Sequence, residues 1–325
     1  MSVEKAVRRA AVGATLNVAL SGMKSDPERS IRYALDLLDC FPENSLGSKL
    51  MARLRREMEN PQSTVRKIVC SMASSVDHRI LRIVGTNLCC NRMALPEADE
   101  ADGNRPRGIV HPASLEQAVS CGKKSGVYFY VISGWDPLRF RNEIFDLCCQ
   151  NKDCVFYLVT DAGTIDGNFA DRCACAGNII LSVKISSEVA LSDSSGAFAI
   201  LRKHRCLYGF TAGINSGTIR QCCRNGFLDY MADVGCIFGW YFSDEQGNSR
   251  SRCAGAVRNA IKAAFTGNSR PLLLLDTKID RHIRNLFVAG GRCYIFCGTE
   301  EGSGLSARYM LTEENSGAGS KNSRP

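Results

Sequence analysis

Two patterns of apolar and polar residues divide the chain, and the change between them falls near residue 79. Before it, apolar residues recur at the three- and four-residue spacing of amphipathic helices. Asp26 followed by Pro27 marks one helix start, since aspartate caps helices and proline favours the first helical position. Residues 1–78 are therefore predicted to form a helical N-terminal extension.

Beyond this point, short apolar runs alternate with stretches of helical spacing. The predicted strands cover residues 80–84, 127–132, 154–160, 178–185, 206–211, 236–242 and 272–275. Such alternation is typical of parallel βα units, whose functional loops follow the strands. The predicted fold class is α/β, a partial (βα)6-type TIM-like barrel over residues 79–298. A strand or loop over 299–312 follows, and the polar composition of 313–325 predicts a disordered tail.

Composition and charge narrow the class of protein. The chain has 325 residues, 45% of them hydrophobic, but no apolar run approaches the roughly 18–20 residues that span a bilayer. No export-type cleavage pattern follows the basic N-terminus, so the 17 cysteines favour a reducing, cytoplasmic setting over disulfide-linked secretion. The net charge of +8 is scattered and lacks base-stacking aromatic motifs, which argues against nucleic-acid binding.

Most of the cysteines have the surroundings of packing residues. Cys154 directly precedes an apolar run and is predicted to be a small buried hydrophobe. Cys173 and Cys175 are separated by one residue on a predicted helix, so they should point to different faces and be structural. Cys293 and Cys297 stand near a strand end and could join a metal site, which the sequence leaves open.

Four stretches carry a more specific signal. Residues 126–139 contain the loop Gly134-Trp135-Asp136-Pro137, and residues 156–172, 177–185 and 227–242 follow in order. Together they resemble the strand-and-loop segments of the radical S-adenosylmethionine (SAM) family, whose Gly-Gly-Glu-Pro loop holds the amino group of SAM. The resemblance spans about 79–298 and implies the barrel fold and a SAM site at the strand ends.

The resemblance also implies which residues remain from that SAM site. These SAM-site remnants are Ser133, Gly134, Asp136, Pro137, Thr160 and Ser182. Other positions depart from the family pattern. Trp135 places an indole where the family has a glycine and the backbone approaches the ligand closely. Ser186 and Ser187 replace the family's glutamate and glycine after the fourth strand.

The cluster motif of the family is missing. Radical SAM enzymes hold a 4Fe–4S cluster with three thiolates from Cys-x3-Cys-x2-Cys after the first strand, and no cysteines here have this spacing. The frame overlays Thr86, Cys90 and Met93, so only Cys90 is retained, with Cys89 beside it. A hydroxyl and a thioether are poor replacements for thiolates. The acidic segment 96–102 would further disfavour an anionic cluster.

Three hypotheses about function stay open at this stage. The leading one is a degenerate radical SAM-fold protein, a pseudoenzyme without radical chemistry. It would act as partner, scaffold or regulatory subunit and could keep a pocket for a SAM-like small molecule. The second is an active enzyme with SAM and a 4Fe–4S cluster ligated atypically by Cys90, Cys89 and a distant cysteine such as Cys121. The third is a cysteine-rich metal-binding protein that shares only the barrel.

Overall fold

The computed structural model describes most of the chain. The described residues are 3–23, 25–39, 48–93, 115–124, 128–133, 137–185, 194–214, 218–243, 255, 257, 259, 261, 270–276, 295–299 and 305–309. The predicted tail at 313–325, the acidic segment at 96–102 and Ser186 and Ser187 lie outside them.

Helices fill the first part of the chain, as its apolar spacing predicts. In the described residues they are α1 (Val3–Gly22), α2 (Pro27–Asp39), α3 (Ser48–Glu59), α4 (Thr64–Ser75) and α5 (His78–Met93). The predicted start of α2 is confirmed, because the Asp26 carboxylate accepts a hydrogen bond from the backbone N–H of Arg29 at 3.0 Å. Within the described residues, no helix is long and apolar enough to cross a membrane.

The prediction of a strand over residues 80–84 is wrong, because these residues lie inside α5. Ile80, Leu81 and Val84 are buried, and Leu88 packs beside them. Their spacing of one, three and four residues is that of one helix face. A short apolar run fits a strand and a buried helix equally well, and the helical continuation to residue 93 decides here.

The other six predicted strands are confirmed, with ends shifted by a few residues. The described elements are α6 (Leu115–Lys124), β1 (Phe129–Ile132), α7 (Pro137–Gln150), β2 (Val155–Thr160), α8 (Gly167–Ala176), β3 (Ile179–Ile185), α9 (Ser195–Lys203), β4 (Tyr208–Ile214), α10 (Ile219–Cys222), α11 (Asn225–Asp233), β5 (Phe238–Ser243), β6 (Leu273–Asp276), β7 (Ile295–Thr299) and β8 (Leu305–Tyr309).

The described strands form one sheet in the order β6-β5-β4-β3-β2-β1-β7-β8. All neighbouring pairs are parallel except β7 and β8, which are antiparallel. The predicted α/β fold with parallel βα units is confirmed. The stepwise order from β1 to β6 is compatible with a partial TIM-like barrel.

Helices cover both faces of the sheet. On one face the crossover helices bury a core that includes Phe156, Phe169 and Phe210. On the opposite face α4 and α5 pack against the sheet, and Ile80 joins Tyr157 in a second core. Helices α4 and α5 therefore cover the face left open by the crossover helices, and α5 extends beyond the predicted end of the extension at residue 78.

Candidate functional site

Helix α5 lies along the edge of the sheet at which the strands begin. Just before it, the backbone N–H of Asp77 donates to the carbonyl oxygen of Arg205, which precedes β4, at 2.8 Å. Farther along, the buried side-chain amide of Asn87 donates to the carbonyl oxygens of Lys152 at 2.9 Å and Cys154 at 3.0 Å, just before β2. These bonds fix α5 at the amino ends of the strands.

The two candidate metal ligands share this amino edge, because Cys89 and Cys90 follow Asn87 on α5. Cys90 is buried. Burial of the Cys89 thiol, with the neighbouring Cys90, raises its pKa to about 12. Cys89 is therefore protonated at neutral pH, whereas iron binds the thiolate. Thr86 is also buried on α5, and the side chain of Met93 lies outside the described part of the structure.

The predicted SAM loop is described only at its margins. Ser133 directly follows β1 and is half-buried. Gly134 and Asp136 lie outside the described residues, and Pro137 begins α7 with its side chain outside them as well. What is described of this loop thus lies at the carboxyl end of β1.

Thr160 is the last residue of β2 and is buried. Its Oγ1 hydrogen-bonds to the Oγ1 of Thr164 at 2.7 Å, and that hydroxyl donates to the carbonyl oxygen of Asp161 at 2.8 Å. Thr160 is therefore the donor in the first bond. The hydroxyl of this predicted SAM-site residue holds the short turn that leaves the strand.

Ser182 lies on β3 and is fully buried on the face that α5 covers. Its hydroxyl hydrogen-bonds to Oγ1 of Thr211 on β4, and that oxygen also bonds to the hydroxyl of Tyr157 on β2 at 3.0 Å. Ser182 pairs with Val159 in the sheet, so it faces away from Thr160. The two remnants point to opposite faces of the sheet.

The candidate ligands on α5 and Thr160, one of the predicted SAM-site residues, lie toward opposite edges of the sheet. Cys154, which Asn87 contacts, precedes β2, whereas Thr160 ends it. At about 3.3 Å per residue, the strand places these ends about 15–20 Å apart. In a radical SAM site, SAM chelates the open iron of the cluster directly. Of the described residues, Cys90 and Thr160 do not fit such a site, because Asn87, one helical turn before Cys90, lies at the start of β2 and Thr160 lies at its end.

The structure describes three of the other cysteines that the sequence singles out. Cys154 is buried, as predicted, and burial raises its pKa to about 12. Cys173 is buried while Cys175 is exposed, so their predicted positions on different helix faces are confirmed. Cys293 and the side chain of Cys297 lie outside the described residues. Among the side chains that are described, no group of three His, Cys, Asp or Glu could hold a metal ion.

A basic cavity between α1 and α5 was missed by the sequence reasoning. Its volume of about 820 Å³ lies within the range of small-molecule sites. The lining residues are Arg9, Ala10, Gly13, Ala14, Asn17, Arg79, Arg82, Ile83, Thr86 and Lys152. They come from three separate segments, and each contributes only one or two basic residues. In the sequence these basic residues are therefore scattered, and they come together only in the folded protein.

No protein-family model matches this chain, and no curated protein matches it either.

Proposed function

We propose that this chain is a degenerate radical SAM-fold protein that works by binding, as a partner, scaffold or regulatory subunit, without cluster-dependent radical chemistry. The proposal is carried by one relationship: Asn87, one helical turn before Cys90 on α5, contacts Cys154 at the start of β2, whereas Thr160 lies at the end of that strand. Cluster and SAM must touch for radical cleavage. A helix that carries the retained cysteine at the other edge of the sheet does not support that contact.

The sheet face beneath α5 is closely packed. In a TIM-like barrel this face would point inward. Here the ring of Tyr157 packs edge-on against Trp240, with 4.6 Å between ring centroids, and against Phe238 at 5.7 Å. The hydroxyl of Ser182 is engaged by Thr211 beside them. Side chains of the protein therefore fill this face of the sheet, as they fill the interior of a TIM-like barrel.

Metal and sulfide analysis under anaerobic conditions tests the proposal. After reconstitution with iron and sulfide, we expect less than one 4Fe–4S cluster per chain and no cleavage of added SAM by mass spectrometry. The Cys89→Ala/Cys90→Ala double variant should behave like the parent chain. Cys149→Ala, which removes an exposed thiol, serves as the matched control.

Two outcomes would contradict the proposal. A stoichiometric cluster that cleaves SAM, and that disappears in the double variant but not in Cys149→Ala, would establish an atypically ligated enzyme. Zinc or iron bound stoichiometrically without sulfide in the protein as purified would instead establish a cysteine-rich metal-binding protein.

A further inference from the structure

The cavity between α1 and α5 concentrates charge of one sign. Arg9, Arg79, Arg82 and Lys152 line it, and its lining contains no carboxylate. Among the ion pairs of the described residues, none includes any of these four side chains. Cations gathered in a concave site focus a positive potential. The cavity is therefore complementary to an anion.

Two of the cations are oriented by the end of α8. Arg79 donates to the carbonyl oxygen of Cys175 at 3.4 Å, and the ammonium of Lys152 donates to that of Ala176 at 2.6 Å. A guanidinium has five N–H donors and an ammonium has three, so each retains donors for a further acceptor. These bonds fix the two cations on one wall of the cavity.

Arg9 is also held in place by hydrogen bonds, whereas the side chain of Arg82 is not. Arg9 donates through Nη2 to the side-chain oxygen of Asn87 and to the carbonyl oxygen of Lys152, the latter at 3.4 Å. The side chain of Arg82 is exposed and makes no hydrogen bond or ion pair with any described residue. Its guanidinium can therefore meet a ligand without first breaking a bond within the protein.

A buried hydroxyl adds an observation independent of charge. Thr86 is 7% exposed and lines the cavity, yet its Oγ1 has no hydrogen-bond partner among the described residues. A buried hydroxyl without a partner is unfavourable. Opposite it on α1 stands Gly13, where an added Cβ would lie 3.5 Å from this oxygen. The glycine leaves room in front of the hydroxyl for a ligand oxygen.

We propose that this cavity binds a small molecule that carries two or more phosphate groups. Arginine, lysine and a hydroxyl donor suit phosphate oxygens, which accept several charge-assisted hydrogen bonds. The volume of about 820 Å³ exceeds what a single phosphate needs and suits a nucleoside diphosphate. SAM carries a positive sulfonium and is disfavoured here. This binding is independent of whether the chain has radical chemistry.

Isothermal titration calorimetry in phosphate-free, low-salt buffer tests the site with pyrophosphate, ADP, adenosine and SAM. We expect pyrophosphate and ADP to bind one molecule per chain, and adenosine and SAM to give no binding. Arg82→Gln should weaken ADP binding by about tenfold or more, since one charge-assisted contact is lost. Gly13→Leu, which fills the cavity with a good helix former, should abolish it.

Arg56→Gln is the matched control, since Arg56 is exposed on α3 and outside the cavity lining. It removes the same charge as Arg82→Gln and should leave ADP affinity unchanged. Equal weakening by both variants would overturn the proposal, because surface charge alone would then explain the binding. ADP binding that survives Gly13→Leu in a folded protein would also overturn it, and so would the absence of binding by both pyrophosphate and ADP. Tighter binding of a short single-stranded RNA than of ADP would overturn it as well.

Discussion

The side-chain amide of Asn87 donates to the carbonyl oxygen of Cys154 at 3.0 Å and so fixes α5 to the start of β2. The same amide donates to the carbonyl oxygen of Lys152, and the side-chain oxygen accepts from Arg9. One fully buried amide thus joins α1, α5 and the loop before β2. It fixes the helix that carries Cys89 and Cys90, and it holds Arg9, which lines the basic cavity.

Replacement of this amide should destabilise the protein more than a typical surface substitution. In Asn87→Leu both donations and the contact to Arg9 are lost, and the carbonyl oxygen of Lys152 loses this buried donor. We expect the free energy of unfolding to fall by about 2–3 kcal/mol, measured by urea denaturation. Asn168→Ala, an exposed change on α8, should stay within about 0.5 kcal/mol. Equal effects of the two would show that the amide does not anchor α5.

The strands β1 to β6 could be predicted because apolar runs and helical stretches alternate regularly. The error at Ile80 to Val84 has a physical cause. A run of five mainly apolar residues fits a strand and a buried helix alike, and its own pattern does not distinguish them. In the structure the helix continues to residue 93, with Ile80, Leu81 and Val84 in the core that it shares with the sheet. The resemblance placed Cys90 after that expected strand, so Cys90 was predicted to lie at the carboxyl ends of the strands. It lies instead on α5, which is fixed to the amino ends.

The cavity could not be predicted for a different reason. Arg9, Arg82 and Lys152 are far apart in sequence, and none belongs to a motif. The packing of α1 on α5 brings Arg9 and Arg82 together, with Gly13 opposite Thr86, and the bond from Asn87 to the loop before β2 adds Lys152. By contrast, the buried environment of Cys154 was predictable, because the apolar run that follows it is a local signal.

A second prediction concerns the glycine that ends α8. Gly177 has φ +73°, and an added Cβ would lie 2.8 Å from Cδ1 of Ile83 on α5. Gly177→Ala should therefore lower the free energy of unfolding by about 1–2 kcal/mol from the left-handed backbone alone, with the contact adding to this. Gly196→Ala is the control, since nothing lies within 4 Å of its added Cβ inside α9.

The control should move slightly in the opposite direction, because Gly196 lies in the first turn of α9, and alanine is a better helix former than glycine, by at most about 1 kcal/mol. Thermal unfolding of Gly177→Ala and Gly196→Ala measures both changes in stability. A parent-like melting temperature for Gly177→Ala would contradict the tight approach of α8 to α5.

A third prediction concerns the hydroxyl network beneath α5. Thr211→Val removes the oxygen shared by Tyr157 and Ser182, both of which are buried, and should cost about 1–3 kcal/mol. Tyr157→Phe should cost less, because Ser182 still satisfies Thr211. The double variant should lose less stability than the sum of the two single variants, since both substitutions remove the same hydrogen bond between Tyr157 and Thr211. Fully additive losses in urea denaturation would show that the network is not formed.

The last prediction follows from the buried thiols. Burial raises the pKa of Cys236, Cys148 and Cys173 well above the ordinary value of 9.0, and that of Cys206 to about 12. In the unfolded chain these thiols ionise near pH 9, whereas in the folded protein they keep their protons. The folded state then binds more protons than the unfolded state, so stability is lost as pH rises above about 9.

Each such thiol should contribute about 1.4 kcal/mol per pH unit between its unfolded and folded pKa. Urea denaturation in reducing buffer should therefore show nearly constant stability from pH 7 to about 8 and a steep fall from about 9 to 11. In Cys236→Ala the free energy of unfolding should fall less steeply with pH, by the contribution of one thiol. This change in slope is separate from any effect of the substitution on stability at neutral pH. Cys149→Ala, which removes an exposed thiol, should keep the parent slope. If Cys236→Ala keeps the parent slope as well, its thiol ionises in the folded protein and is not enclosed in the core.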